Sequence, residues 1–308
     1  MTTLPTPIPL AVRLPNWVGD VVMALPALAL LQQRGFALHA MGKGWASDLL
    51  AGLPMTVTKL PKGLRASAKA WRATGCRDGV LFTNSLGSAA QMRLGGIKAV
   101  GYRKEFRSLL LGQGLNRVDK IHEVDSFWRL AVGVLQRFNL PVPTEPIPFT
   151  PLPLTDSHRA IAAQALQSAQ IHQPYSVLCP LAVGTIAGRS KQWPSFPLLC
   201  RGLIDAGETV VACPGPGEEE ATTAALPGAK LLPGLGLGAY AAVMSGARRV
   251  VANDSGPMHI AAAVDVPVLG IFGLTEPGRT RPWSDKGIAV GDWNGWPTMQ
   301  AVLAALPG

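Results

Sequence analysis

The run Asn253-Asp254-Ser255-Gly256-Pro257-Met258-His259 places a carboxylate, a hydroxyl, a glycine and an imidazole between two apolar segments. Arg249–Ala252 before it reads as a short buried strand, and Ile260–Ala263 after it as helix. Ser255 or Asp254 is expected to cap that helix, and Pro257 suits a first turn, where a missing N–H costs nothing. Gly256 lets another group approach the backbone. A strand-to-helix turn of this kind turns N–H groups and a positive dipole end outward, which is an anion site. With Asp254 and His259 beside it, the site suits a nucleotide or a phosphorylated sugar.

Three further loops carry groups that could do chemistry. In Leu14-Pro15-Asn16-Trp17-Val18-Gly19-Asp20, Gly19 permits a tight turn and Asp20 stands at a helix start. Asp20 has two readings at this stage, a helix N-cap or a general base toward a hydroxyl. The segment Leu181–Trp193 is glycine-rich and basic, with Gly184, Gly188, Arg189 and Lys191, and could cradle a phosphate. It lacks the GxxxxGK[ST] spacing, and no GxGxxG fingerprint occurs at a first strand-to-helix turn. Pro214-Gly215-Pro216-Gly217-Glu218-Glu219-Glu220 puts three carboxylates at a helix start, where the dipole favours them and where one could meet ribose hydroxyls. No DxD pair offers itself to a divalent metal. His39, His122, His158 and His172 lack partner spacing and read as structural.

These loops need a frame. Apolar strand-like runs alternate with helical stretches, the signature of α/β domains with parallel sheets. In the first half strands are expected at Ile8–Leu14, Phe36–Met41, Met55–Thr58, Gly79–Thr83 and Ala99–Tyr102. Helices are expected from Asp20, Ala46, Leu64 and Ser85, and over His122–Phe138, with a kink or early end at Pro26. Six prolines between Pro141 and Pro153 cannot continue a helix or a central strand, and read as a stiff connector. The expected division is 1–140, a linker at 141–155, and 156–308. The second half restarts with a helix over Asp156–Gln170 and strands at Ser176–Pro180, Thr209–Cys213, Ala229–Leu231, Arg249–Ala252 and Val266–Phe272. Ligands of such folds bind beyond the carboxyl ends of the strands. That rule selects the loops after Leu14, Pro180, Cys213, Ala252 and Phe272, and two such domains would face each other across a cleft.

Composition limits the classes. At 308 residues and 48% apolar, the chain is globular and long enough for two domains. Its longest apolar run, Val21–Leu31, falls short of a membrane span and contains Pro26. Asp20 at its edge argues against a signal peptide. The cysteines, Cys76, Cys179, Cys200 and Cys213, show no metal-ligand spacing and fit reduced structural thiols in a cytoplasmic protein. Charge is one-sided: residues 1–150 hold 18 Lys/Arg against 8 Asp/Glu, residues 151–308 hold 10 against 11. The first half therefore reads either as a surface for an anionic partner or as a merely solvated basic face.

Asn16-Trp17-Val18-Gly19-Asp20 with Ala24-Leu25-Pro26-Ala27-Leu28, Lys191-Gln192-Trp193-Pro194, and Asn253–His259 with Ala261-Ala262 and Gly270-Ile271-Phe272-Gly273 together resemble glycosyltransferase family 9, the bacterial lipopolysaccharide heptosyltransferases. The first motif is nearer the type II enzymes than type I. Gly101-Tyr102-Arg103, Phe106-Arg107 and the His122 helix add weaker similarity. The resemblance implies a GT-B fold, two Rossmann-like domains, the first for the acceptor and the second for a nucleotide-sugar donor. It also implies inverting, metal-independent transfer of heptose from ADP-heptose to the lipopolysaccharide inner core, with no cofactor. By position, Asp20 would be the base and Lys191 would neutralise the leaving diphosphate. Asp254 would hold sugar hydroxyls, the Ser255 and Gly256 amides and His259 would meet phosphate, and Glu218 or its neighbours the nucleoside. Asn16, Arg103 and Arg107 would meet the anionic glycolipid acceptor, with room for peripheral contact at the cytoplasmic face of the inner membrane. Val183–Ser190 departs from the family's pattern. Competing readings are a GT-B enzyme using another nucleotide sugar or acceptor, and a non-catalytic nucleic-acid-binding protein. The second is disfavoured because tyrosines and phenylalanines are few in the basic half and no RNP or zinc-finger pattern appears, and no nucleic acid is expected.

Overall fold

The computed structural model describes residues 7–172, 174–186 and 188–307. Ala187 of the glycine-rich loop lies outside them. The chain divides into two compact units, Met1–Thr150 and Pro151–Gly308.

The first unit runs β1 (Ile8–Arg13), α1 (Val18–Met23), α2 (Leu25–Gln33), β2 (Phe36–Gly42), α3 (Ala46–Leu49), β3 (Thr56–Lys59), α4 (Leu64–Ala73), β4 (Asp78–Leu81), α5 (Leu86–Leu94), β5 (Lys98–Tyr102), a 3-10 turn (Glu105–Leu110), β6 (Gln113–Leu115) and α6 (Glu123–Arg137). Its six strands form one sheet in the order β3-β2-β1-β4-β5-β6, every pair parallel. The topology reverses between β1 and β4, as in Rossmann sheets. Helices α1, α2 and α6 pack together, and α4, α5 and the 3-10 turn pack together. Trp71, Met92, Leu81 and Ile97 fill the core with the second set.

The second unit runs α7 (Asp156–Ser168), β7 (Tyr175–Cys179), β8 (Thr185–Ile186), β9 (Arg189–Ser190), α8 (Phe196–Asp205), β10 (Thr209–Ala212), α9 (Glu219–Ala225), β11 (Lys230–Leu231), α10 (Leu237–Ser245), β12 (Arg249–Asn253), α11 (Gly256–Ala263), β13 (Val268–Ile271), α12 (Pro277–Thr280), β14 (Gly287–Val290) and α13 (Met299–Ala304). Its sheet, β11-β10-β7-β12-β13-β14, repeats the first unit's order and is again all parallel. Strands β8 and β9 pair antiparallel apart from it.

The apolar runs correspond to strands because a parallel sheet covered on both faces buries every residue of its central strands. Of the unanticipated strands, β6 and β14 are short and only partly buried and β8 and β9 are exposed, so none shows such a run. The break expected near Pro26 appears: α1 ends at Met23 and α2 restarts with the proline in its first turn. Residues 141–155 carry no helix or strand. Two histidines read as structural take part in helix capping. His122 Nδ1 accepts from Val124 N at 3.1 Å, and His158 completes a capping box with Thr155.

Candidate functional site

Asn253 ends β12 and is fully buried. Its Oδ1 accepts from Trp193 N at 2.9 Å and its Nδ2 donates to Pro180 O at 2.6 Å. One amide therefore ties three strand-end loops together: those after β7, before α8 and after β12. Trp193 is anchored from its other side, with indole Nε1 donating to Pro297 O at 3.1 Å and its ring edge-on to Phe196. This clamp fixes Lys191, two residues earlier.

Lys191 Nζ lies 3.5 Å from Asp254 Oδ2, the carboxylate buried and the ammonium partly exposed. Asp254 N donates to Ile271 O, so the carboxylate is held at the carboxyl end of the sheet. Ser255 occupies the N-cap position of α11, but its side chain caps nothing. The hydroxyl instead donates back to Asn253 O at 3.2 Å. This corrects the expectation that Ser255 or Asp254 caps the helix. The N-cap side chain thus leaves the first turn uncapped, at half-buried Ser255 and Gly256. Buried His259 follows one turn on.

The glycines of Gly270-Ile271-Phe272-Gly273 serve packing. A Cβ on Gly270 would stand 2.4 Å from Met258 Sδ, so its absence lets α11 lie close on β13. A Cβ on Gly273 would meet the Trp296 ring at 2.1 Å. Glu218 is half-buried at the end of the loop after β10, where its Oε2 accepts from Gly215 N at 3.0 Å; Glu219 and Glu220 are exposed. Beneath the same strand ends, Cys179 Sγ lies 3.0 Å from the Tyr240 hydroxyl. Burial pushes the Cys179 thiol up to about 12 and raises that of Cys213, which keeps both protonated and inert.

In the first unit Asp20 is the third residue of α1, and Trp17 holds the N-cap position without a side-chain hydrogen bond. Asp20 is thus not the cap, which removes the simpler of its two readings. Arg13, buried at the end of β1, donates to Asn16 Oδ1 at 2.8 Å and to Leu14 O, setting the loop that leads to Asp20. Arg103 is exposed and reaches Asn116 Oδ1.

Arg107 differs from expectation. Only 2% exposed, it donates through Nη2 to Thr83 O at 2.7 Å and through Nη1 to Tyr102 O. Burial lowers its pKa from the ordinary arginine value. The guanidinium braces the ends of β4 and β5 from inside and presents nothing to a solvent-borne acceptor. Among the described residues no group of three His, Cys, Asp or Glu is placed to hold a metal ion.

The structure brings Lys191, Asp254, Ser255 and Gly256 together in the second unit and places Asp20 and Asn16 at the equivalent strand ends of the first. Asn253 and Arg13 were missed as positioning residues. A polar residue closing an apolar strand was the available signal for Asn253. Replacing Asn253 with leucine is expected to strand Trp193 N and Pro180 O, costing about 2–5 kcal/mol. A denaturation midpoint unchanged from the parent would contradict the clamp.

The family model described as "Glycosyltransferase family 9 (heptosyltransferase)" matches residues 68–302. The chain is 26% identical over 312 residues to lipopolysaccharide heptosyltransferase 2 of Escherichia coli K12, covering 90% of this chain and 86% of that protein. The solved structure of E. coli ADP-heptose lps heptosyltransferase II superposes with a TM-score of 0.76 at 25% identity, covering 92% of this chain and 90% of the other. E. coli heptosyltransferase WaaC with ADP shares the fold, with a TM-score of 0.73 at 22% identity over 96% of this chain and 98% of the other.

Proposed function

Since the chain belongs to glycosyltransferase family 9, we propose that it moves heptose from ADP-heptose to a hydroxyl of the lipopolysaccharide inner core, with inversion and without a metal. The observation that carries this reading is the Lys191–Asp254 pair beside the uncapped start of α11. A departing ADP needs positive charge at its diphosphate, and an ammonium with helix N–H groups supplies it. The relatives named above act on lipopolysaccharide, and the type II structure is described with ADP-heptose.

In the proposed step, the Asp20 carboxylate takes the acceptor O–H proton as that oxygen bonds to the anomeric carbon. The bond from that carbon to the diphosphate oxygen breaks on the opposite side, and the electron pair leaves with ADP. Lys191 and the Ser255 and Gly256 amides take up the developing charge. Asp254 accepts from sugar hydroxyls and holds Lys191 in place, His259 supports the phosphates, and Glu218 meets the nucleoside with its remaining oxygen. The first unit takes the anionic glycolipid through Asn16 and Arg103, at the cytoplasmic face of the inner membrane. No helix among the described residues is long and apolar enough to cross a membrane.

Thermal melts with nucleotides and nucleotide sugars test the donor directly. ADP and ADP-heptose at saturation are expected to raise Tm by about 5 °C or more, with UDP and GDP forms inert. Stabilisation by UDP or GDP forms alone would transfer the reading to another nucleotide sugar. Release of ADP on adding a core-truncated lipopolysaccharide then tests the transfer.

A further inference from the structure

Most of the positive charge of the first unit lies in its middle stretch. Residues 59–115 hold eleven Lys/Arg against two Asp/Glu, and one of those two, Asp78, is paired with Arg137 at 2.8 Å. Helices α1, α2 and α6 carry three acidic and two basic residues. Helices α4, α5 and the 3-10 turn, which pack side by side, carry five basic residues against one acidic, Glu105, with Lys62 and Lys104 flanking them. Arg65 and Lys69 of α4, Arg93 of α5 and Lys104 before the turn are all exposed.

That layer also exposes large apolar side chains. Phe106 is 78% and Leu109 81% exposed, and Leu94 at the end of α5 is 53% exposed. In a 3-10 helix residues i and i+3 eclipse, so Phe106 and Leu109 share one edge of the turn. The intervening Arg107 points inward and fastens the turn to Tyr102 O and Thr83 O. The turn, fastened from inside, thus carries two apolar side chains outward next to exposed Arg103, Lys104 and Glu105.

We propose that the α4–α5–turn layer is a docking face for an anionic lipid bilayer, into whose interfacial region Phe106 and Leu109 insert. Basic side chains around inserted apolar ones use both attractions an anionic membrane offers. A nucleic acid would use the charges but gain nothing from Leu109 and Leu94, and the layer exposes no series of aromatic rings for bases to stack on. The inference rests on the proposed glycolipid acceptor for its purpose, since docking would hold the enzyme where that acceptor resides.

Co-sedimentation of the full chain with vesicles tests it. The protein is expected to bind vesicles of phosphatidylglycerol in phosphatidylcholine, to release as salt rises, and to ignore pure phosphatidylcholine. Phe106→Asp with Leu109→Asp is expected to weaken binding at least about tenfold, from lost apolar burial and added repulsion. Arg65→Glu with Lys69→Glu is expected to do the same, with melting temperatures reporting that both variants fold. Absent binding by the parent, undiminished binding by the first variant, or full displacement by short RNA would each overturn the docking face. Turnover on an acceptor stripped of its acyl chains separates this from the proposed reaction. The Phe106/Leu109 variant should keep that rate while losing rate on vesicle-embedded acceptor; equal loss on both would overturn the membrane role.

Discussion

Asp20→Asn is expected to lower turnover by about 10²–10⁴-fold while leaving ADP affinity and fold intact. Asparagine keeps the shape and cannot accept the acceptor's proton. Were Asp20 the helix cap, its loss would confound activity with stability, but Trp17 occupies that position and α1 has no side-chain cap. Loss of the charge from the first turn should cost about 0.3–1 kcal/mol through the helix dipole, and the melting curve reads the whole cost to stability. Single-turnover ADP release and a melting curve, run together, decide the matter. A folded Asp20→Asn protein with the parent's rate would remove Asp20 from the chemistry.

Lys191→Met should be nearly as damaging, with a different signature. Losing the ammonium is expected to reduce kcat by about 10²–10³-fold, because charge on the leaving diphosphate goes uncompensated. It also leaves the buried Asp254 carboxylate without the cation now 3.5 Å away, beside the place proposed for an anion. ADP binding should therefore weaken as well. Adding Asp254→Asn to Lys191→Met should restore part of that binding without restoring the rate, and a double-mutant cycle measures the coupling. If Lys191→Met bound ADP as the parent does and turned over normally, the diphosphate would have to lie elsewhere.

The two sheets were legible because central parallel strands announce themselves as apolar runs, as Arg249–Ala252 and Ser176–Pro180 do. The strand order was not, since pairing β1 with β4 joins segments far apart in sequence, and the edge strands β6 and β14 bury too little to stand out. At the site, residue types and loop positions were readable, whereas hydrogen bonding was not. Ser255 is a good cap by type, yet its hydroxyl turns to Asn253 O. Arg107 belongs to a basic stretch and was expected to meet the acceptor, but it is buried and two backbone carbonyls compensate that burial. The dual role of Asn253 depends on Pro180 and Trp193, which only the fold brings within reach.

Asn253 also bears on how such an enzyme can change over generations. The loops it ties are already ordered, so a donor spends little conformational entropy in organising them. The β8–β9 hairpin lies outside that tie, its four paired residues all exposed. Substitutions there can accumulate without unsettling the frame that carries Lys191 and Asp254. The tied frame and the exposed hairpin thus sit on separate residues, and one can drift while the other is held.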